Sequence, residues 1–228
     1  MRRVLRLPDS IPLALGWRYA SHAAMLFLSL LTEARPAPHL PDLVLDRLPR
    51  VEWLERTNYW LWLAVYVPVA LWLWRRNRSA FVRFLYLGGA VSLARGLCVG
   101  LTGLGPAAGP DLHAGAAGLR GLSLVAAWWS LVNPFSALFT DAPHLYLTKD
   151  LFFSGHVSST FLLWLYARKE GRSIAWAAAL AHAFTVAVVL LSHLHYTIDV
   201  VGAWAITYSF FALAGRGRGL ALRERSRR

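Results

Sequence analysis

The sequence predicts an all-α, polytopic membrane protein, and three observations predict it. The 228 residues are 57% hydrophobic, against roughly 45–50% in a soluble domain. Eleven Trp and eleven Phe crowd the apolar runs and their ends, as interfacial aromatics do. Most of the 24 basic residues, all but two of them arginine, lie between those runs. One bundle of helices uses nearly the whole chain, so residues 1–228 are expected to form a single transmembrane domain.

Six spans are expected, each near the ~20 residues that a bilayer core requires: 12–31, 58–74, 80–101, 155–169, 173–192 and 198–214. Arg18 and His22 interrupt the first apolar run, which therefore reads as a span and not as a cleaved signal peptide. They share one helical face and are expected to make a structural polar contact. Pro68 lies inside the second run and can kink it, which bundle neighbours accommodate. The segment GLRGLSLVAAWWSLVNPF (118–135) is apolar enough to span. A seventh span would break the charge pattern, so it is assigned as interfacial or re-entrant, ending at Asn133-Pro134.

The basic loops set the orientation. Arg2, Arg3 and Arg6 precede the first span. Arg75, Arg76 and Arg78 follow the second. Arg168, Lys169 and Arg172 follow the fourth, and Arg216, Arg218 and RERSRR follow the sixth. With six spans all four groups fall on one side, which the positive-inside rule makes the cytoplasm. Loops 32–57, 102–154 and 193–197 then lie outside. The net charge of +12 is topogenic, and no nucleic-acid partner is expected. No Walker loop or zinc-ligand cluster is visible, so neither cofactor nor metal is called for. The lone Cys98 allows no intramolecular disulfide. Arginine in place of lysine suggests a GC-rich genome and a bacterial inner membrane. A eukaryotic chain would lie in the Golgi or plasma membrane.

Two segments carry the chemistry. His195 and Asp199 are spaced i,i+4 at the outer head of the sixth span. On one helical face the carboxylate can fix one ring nitrogen and leave the other free as a nucleophile. The pair can equally cap and solvate a helix start. His156 follows Ser154-Gly155 at the outer head of the fourth span. Ser154 is a plausible N-cap and Gly155 allows close backbone approach. A helix N-terminus suits a phosphate, and His156 can act there as general acid, or be no more than an interfacial histidine. Arg95 lies inside the third span, where a charge is costly and is either functional or paired. It can grip a phosphate bidentately or pair with Asp150. His113, His144, His182 and His193 show no informative spacing.

At these residues the chain resembles the sphingomyelin synthase family, a branch of the lipid phosphate phosphatase superfamily. Asp150-Leu-Phe-Phe-Ser154-Gly155-His156 matches the family's third signature. His195-Tyr196-Thr-Ile-Asp199-Val200 matches the fourth. PHLPD (38–42), Arg83 with Arg95, and TGLGP (102–106) are similar to earlier signatures, so the resemblance spans 38–208. It implies six spans, an outward-facing site and a His-His-Asp triad. His195 is the implied nucleophile and Asp199 its orienting partner, while His156 is acid and then base. Asp150, Ser154, Gly155 and Tyr196 belong to the matched signatures and are expected at the substrate. Thr148-Lys149 stands where the family has Cys-Gly, and Val157 follows the SGH histidine. Val189 stands where the superfamily has a phosphate-binding arginine, so another cation, such as Arg95 or Lys149, is expected to hold the phosphate. The implied partners are membrane lipids as donor and acceptor. The implied activity is transfer of a phosphoalcohol headgroup from a glycerophospholipid to a lipid alcohol such as ceramide or diacylglycerol. A hydrolase of the same fold is the alternative, and a non-catalytic membrane protein the second. Oligomeric state stays open.

Overall fold

The computed structural model describes residues 8–111, 119–133, 135, 136 and 146–225, with side chains of the last helix described to residue 215. Arg2, Arg3, Arg6, His113, Pro134 and His144 lie outside the described residues. Among the described residues seven α-helices are complete and no strand appears: α1 (Ile11–Glu33), α2 (Glu52–Arg76), α3 (Arg78–Leu101), α4 (Gly121–Val132), α5 (Gly155–Ala167), α6 (Arg172–Leu191) and α7 (Thr197–Arg225). A 3-10 turn, Leu45–Arg47, lies in the loop after α1.

Three helices are long and apolar enough to cross a membrane: α3, α6 and α7 up to Gly215. The all-helical expectation therefore holds, while the count of six is met only in part. The physical reasons are visible in the other helices. In α1 and α2, polar residues and Trp/Tyr dilute the hydropathy of long helices of 23 and 25 residues. Helix α5 has 13 residues. At 1.5 Å per residue it reaches only about 20 Å, against a hydrocarbon core of roughly 30 Å. Helix α4 has 12 residues and is shorter still.

Helix α4 lies along α1 in the opposite direction. Trp128 Nε1 donates to Ala23 O at 2.8 Å, and Tyr19 hydroxyl donates to Val132 O at 3.0 Å. It thus runs antiparallel along the side of α1. Pro68 sits inside α2 without ending it.

The α1–α3 pair is the closest packing in the molecule. A Cβ on Gly89 would stand 2.2 Å from Trp17 Nε1, and one on Gly96 would stand 3.1 Å from Met25 Cα. Glycine lets the two backbones approach, the usual device where helices meet in a membrane. A core of Ala14, Leu73, Phe84, Leu162 and Ala167 fills the Arg78 end of α3. A second cluster, Phe153, Val157, Val189 and Val200, lies under the starts of α5 and α7. It holds those two helix heads side by side.

Candidate active site

Ser154 caps α5 as its sequence suggested, its side chain accepting from Val157 N at 3.4 Å. Its own N–H donates to Asp199 O at 3.2 Å, which joins the heads of α5 and α7 directly. Helix α7 begins at Thr197, so His195 precedes it and Asp199 lies in its first turn. The i,i+4 contact forms nonetheless: His195 Nδ1 lies 3.1 Å from Asp199 Oδ2. The same oxygen accepts from Tyr196 N at 3.0 Å, and Oδ1 accepts from Phe152 N at 3.2 Å. Asp199 is wholly buried. Opposite a carboxylate acceptor, the neutral imidazole has its proton on Nδ1 and its lone pair on Nε2.

His156 stands at the head of α5, two residues after Ser154, whose N–H is bonded to Asp199 O at the head of α7. Its ring packs edge-to-face on Trp62 of α2, with centroids 5.2 Å apart. Trp62 is itself fixed by donating from Nε1 to Ser159 at 3.1 Å. Among the described residues no side chain or backbone group bonds to the His156 ring. The two histidines and the aspartate are thus brought to one place.

Arg95 takes the paired alternative. Its Nη2 bridges to Asp150 Oδ2 at 2.7 Å and to Asp150 O at 2.8 Å. Nε donates to Phe153 O at 2.6 Å, and Nη1 meets Met25 Sδ at 2.9 Å. Asp150 Oδ1 also accepts from Ser29 at 2.7 Å. Burial pushes the Asp150 carboxyl up, but the Arg95 charge and the bonds from Arg95 and Ser29 outweigh it and hold it below its ordinary value. The guanidinium is a buckle on the loop before α5. Gly155 lies beside it, where a Cβ would stand in ordinary van der Waals contact, 3.4 Å from Arg95 Nε. Arg83, twelve residues away, bonds to Ser79 near the other end of α3. Lys149 is likewise engaged, with Nζ 2.8 Å from Asp111 Oδ2 and 2.8 Å from Arg35 O. Neither cation named for the phosphate presents its charge freely.

Tyr196 is 1% exposed, and its hydroxyl faces no opening. It accepts from Leu40 N at 3.1 Å, lies 3.2 Å from His39 Nδ1, and donates toward Gly105 O and Pro106 O at 3.1 and 3.0 Å. Burial raises its pKa, so it stays a donor. Asp42 completes this clamp. Its Oδ2 accepts from Thr197 N at 2.6 Å and its Oδ1 from the Thr197 hydroxyl at 2.9 Å. A carboxylate from a remote loop thereby caps α7. Gly105 N donates to Pro38 O at 2.9 Å, and a Cβ on Gly105 would strike Ala37 O at 2.7 Å. PHLPD, TGLGP and HYTID therefore converge behind His195. Asp42 was the residue missed as a site element. The PHLPD match was its only signal.

His182 joins three helices. One ring nitrogen lies 2.9 Å from the Thr160 hydroxyl on α5, and the other accepts from Trp204 Nε1 on α7 at 2.8 Å. Among the described residues no cluster of three or more His, Cys, Asp or Glu could hold a metal.

Comparison of the sequence with known proteins finds two likenesses. Residues 149–215 match the family model for the PAP2 superfamily C-terminal region. The chain is similar to phosphatidylcholine:ceramide cholinephosphotransferase 1 of Caenorhabditis elegans, at 29% identity over 197 residues. That alignment covers 81% of this chain and 42% of the relative, so the chain spans about two fifths of the relative's length. The chain is thus similar, over 149–215, to the C-terminal region of the PAP2 superfamily and, over 197 residues, to a cholinephosphotransferase.

Proposed function

We propose that this protein is a membrane-embedded phospholipid headgroup transferase working through a phosphohistidine intermediate. The observation that carries it is the His195–Asp199 pair, 3.1 Å apart and buried at the head of α7, with His156 beside it. The Nε2 lone pair of His195 attacks the phosphorus of a donor such as phosphatidylcholine. The bond from phosphorus to the diacylglycerol oxygen breaks, and His156 gives that oxygen a proton. Asp199 stabilises the positive imidazole so formed. A lipid alcohol such as ceramide or diacylglycerol then enters. His156 removes its proton, the alkoxide attacks phosphorus, and the P–N bond to His195 breaks. Arg95, Asp150, Ser154 and Gly155 shape the loop that presents His156, and Tyr196 positions His195 from behind. The substrates rest on the name of the Caenorhabditis elegans relative.

The chain is further proposed to be one multi-pass unit. Helices α1, α2 and α5 complete the bundle around the three apolar ones, and the site lies on the non-cytoplasmic face. A reporter fused after Arg172 should read cytoplasmic and one at Ala108 external; the reverse at Arg172 would overturn the sidedness. For the reaction, purified protein is incubated with phosphatidylcholine, with and without ceramide. Headgroup transfer that depends on acceptor supports the transferase. Release of free phosphocholine or phosphate regardless of acceptor supports the hydrolase instead. Turnover of neither kind contradicts both.

A further inference from the structure

The backbone carbonyl of His156 is the end point of two hydrogen-bond chains that start on other helices. Ser159 of α5 donates from Oγ to His156 O at 2.9 Å. Its oxygen accepts in turn from Trp62 Nε1 of α2 at 3.1 Å. Thr160 donates from Oγ1 to the same carbonyl at 3.0 Å, with Val157 O at 3.3 Å as a second acceptor. Its oxygen lies 2.9 Å from His182 Nδ1 of α6. His182 Nε2 accepts from Trp204 Nε1 of α7 at 2.8 Å. Ser159 and Thr160 are both buried.

The direction of both chains follows from their ends. An indole nitrogen can only donate. Opposite Trp204, His182 Nε2 is the acceptor, so the ring is neutral and its proton sits on Nδ1, toward Thr160 Oγ1. The threonine hydroxyl has one proton. With its oxygen accepting from His182, that proton goes to the backbone of α5. Trp62 orders Ser159 in the same way. Hydrogen bonds in series polarise one another, so each chain holds the carbonyl more firmly than its last hydroxyl would alone. A serine or threonine inside a helix can bond back to its own helix and needs no further partner. Here both hydroxyls have one, and the two partners come from different helices.

We propose that His182 is a positioning residue for His156. Through Thr160, and in parallel with Trp62 and Ser159, it pins the peptide that roots His156 and leaves the imidazole itself unbonded for proton transfer. Proton transfer needs the ring within hydrogen-bond reach of the reacting oxygen, and the root sets that reach. This gives a role to a histidine whose spacing along the chain is uninformative. It rests on the acid-base role proposed for His156 above.

The test reads the place of His156 separately from turnover. In protein with isotope-labelled histidine in nanodiscs, magnetic resonance should show His182 protonated on Nδ1 and unprotonated on Nε2. A ring protonated on Nε2 overturns the relay outright. His182→Phe and Thr160→Val each cut the chain and keep the volume. Each should shift the ring signals of His156, which lies against Trp62. Each should lower kcat for headgroup transfer about three- to tenfold, the scale of one hydrogen bond, at unchanged KM for phosphatidylcholine. The double variant should be no worse than the more impaired single, because both cut one chain. His182→Gln offers a donor and an acceptor from one planar group and should restore most of the loss. Trp204→Phe removes only the N–H. It should mix the His182 tautomers, and it carries the test if His182→Phe does not fold. Folded variants that melt earlier while the His156 signals and kcat keep their wild-type values overturn the proposal, since His182 would then only tie helices together. A wild-type protein that shows the Nδ1 tautomer, moves its His156 signals on His182→Phe and transfers nothing would sink the headgroup-transfer function and leave the positioning standing.

Discussion

His195 and His156 sit in opposite physical settings. His195 is held by a buried carboxylate that two backbone N–H groups also grip. Behind it, Tyr196 and Asp42 bind the loops at 38–42 and 105–106. His156 packs edge-to-face on Trp62, and among the described residues no hydrogen bond fixes its ring. The contrast suits the two proposed roles. A nucleophile gains from one tautomer and one direction of attack. A group that gives a proton to one lipid and takes it from another needs a ring nitrogen open to the substrate.

The contrast can be broken by substitution. His156→Ala should cost about 10²–10⁴ in turnover, the usual scale for a general acid, with detergent-solution melting nearly unchanged. Asp199→Ala should cost both. It frees the His195 tautomer and strands the buried N–H groups of Phe152 and Tyr196, at roughly 1–3 kcal/mol for each unsatisfied donor. Equal loss of stability in the two variants would erase the distinction.

The next effect is on stability. Removing one partner of a buried ion pair costs about 3–5 kcal/mol. Arg95→Ala and Asp150→Asn should therefore lower the melting temperature together, and the double variant should cost less than the sum. Independent, additive effects would mean that the 2.7 Å bridge is not what holds the α5 loop.

The smallest expected effect tests the clamp. Burial pushes the Asp42 carboxyl up, but bonds from Thr197, Leu45 and Val44 outweigh it and hold it below its ordinary value. Its contribution is therefore complete above the ordinary carboxylate pKa and is lost as pH falls through the depressed one. Asp42→Asn should cost about 1 kcal/mol at neutral pH. The gap to wild type should close in acid. A gap independent of pH would remove the charge from the explanation.

What the sequence made legible follows the same division. His195–Asp199 and Ser154–His156 are local, and helix geometry at the α5 and α7 heads brings their partners within reach. Their meeting depends on two helix heads lying side by side, joined by the Ser154 N–H to Asp199 O bond, which no local pattern encodes. Asp42 reaches Thr197 across 155 residues, and no local period encodes that. Arg95 shows why charge alone misleads: it lies in α3, a helix long and apolar enough to span, yet the packing of the α5 loop gives it to Asp150. Helix α5 was read two residues too long because Arg168 and Lys169 still fit a helical pattern, while the structure turns there.

The central claim is a covalent intermediate on His195. Purified protein is mixed with headgroup-labelled phosphatidylcholine without acceptor, quenched in alkali and digested. The account predicts an acid-labile phosphocholine adduct on the peptide containing His195, absent from His195→Ala and discharged when ceramide is added before the quench. A folded His195→Ala protein that transfers headgroups at the wild-type rate, or an adduct on another residue, would contradict it.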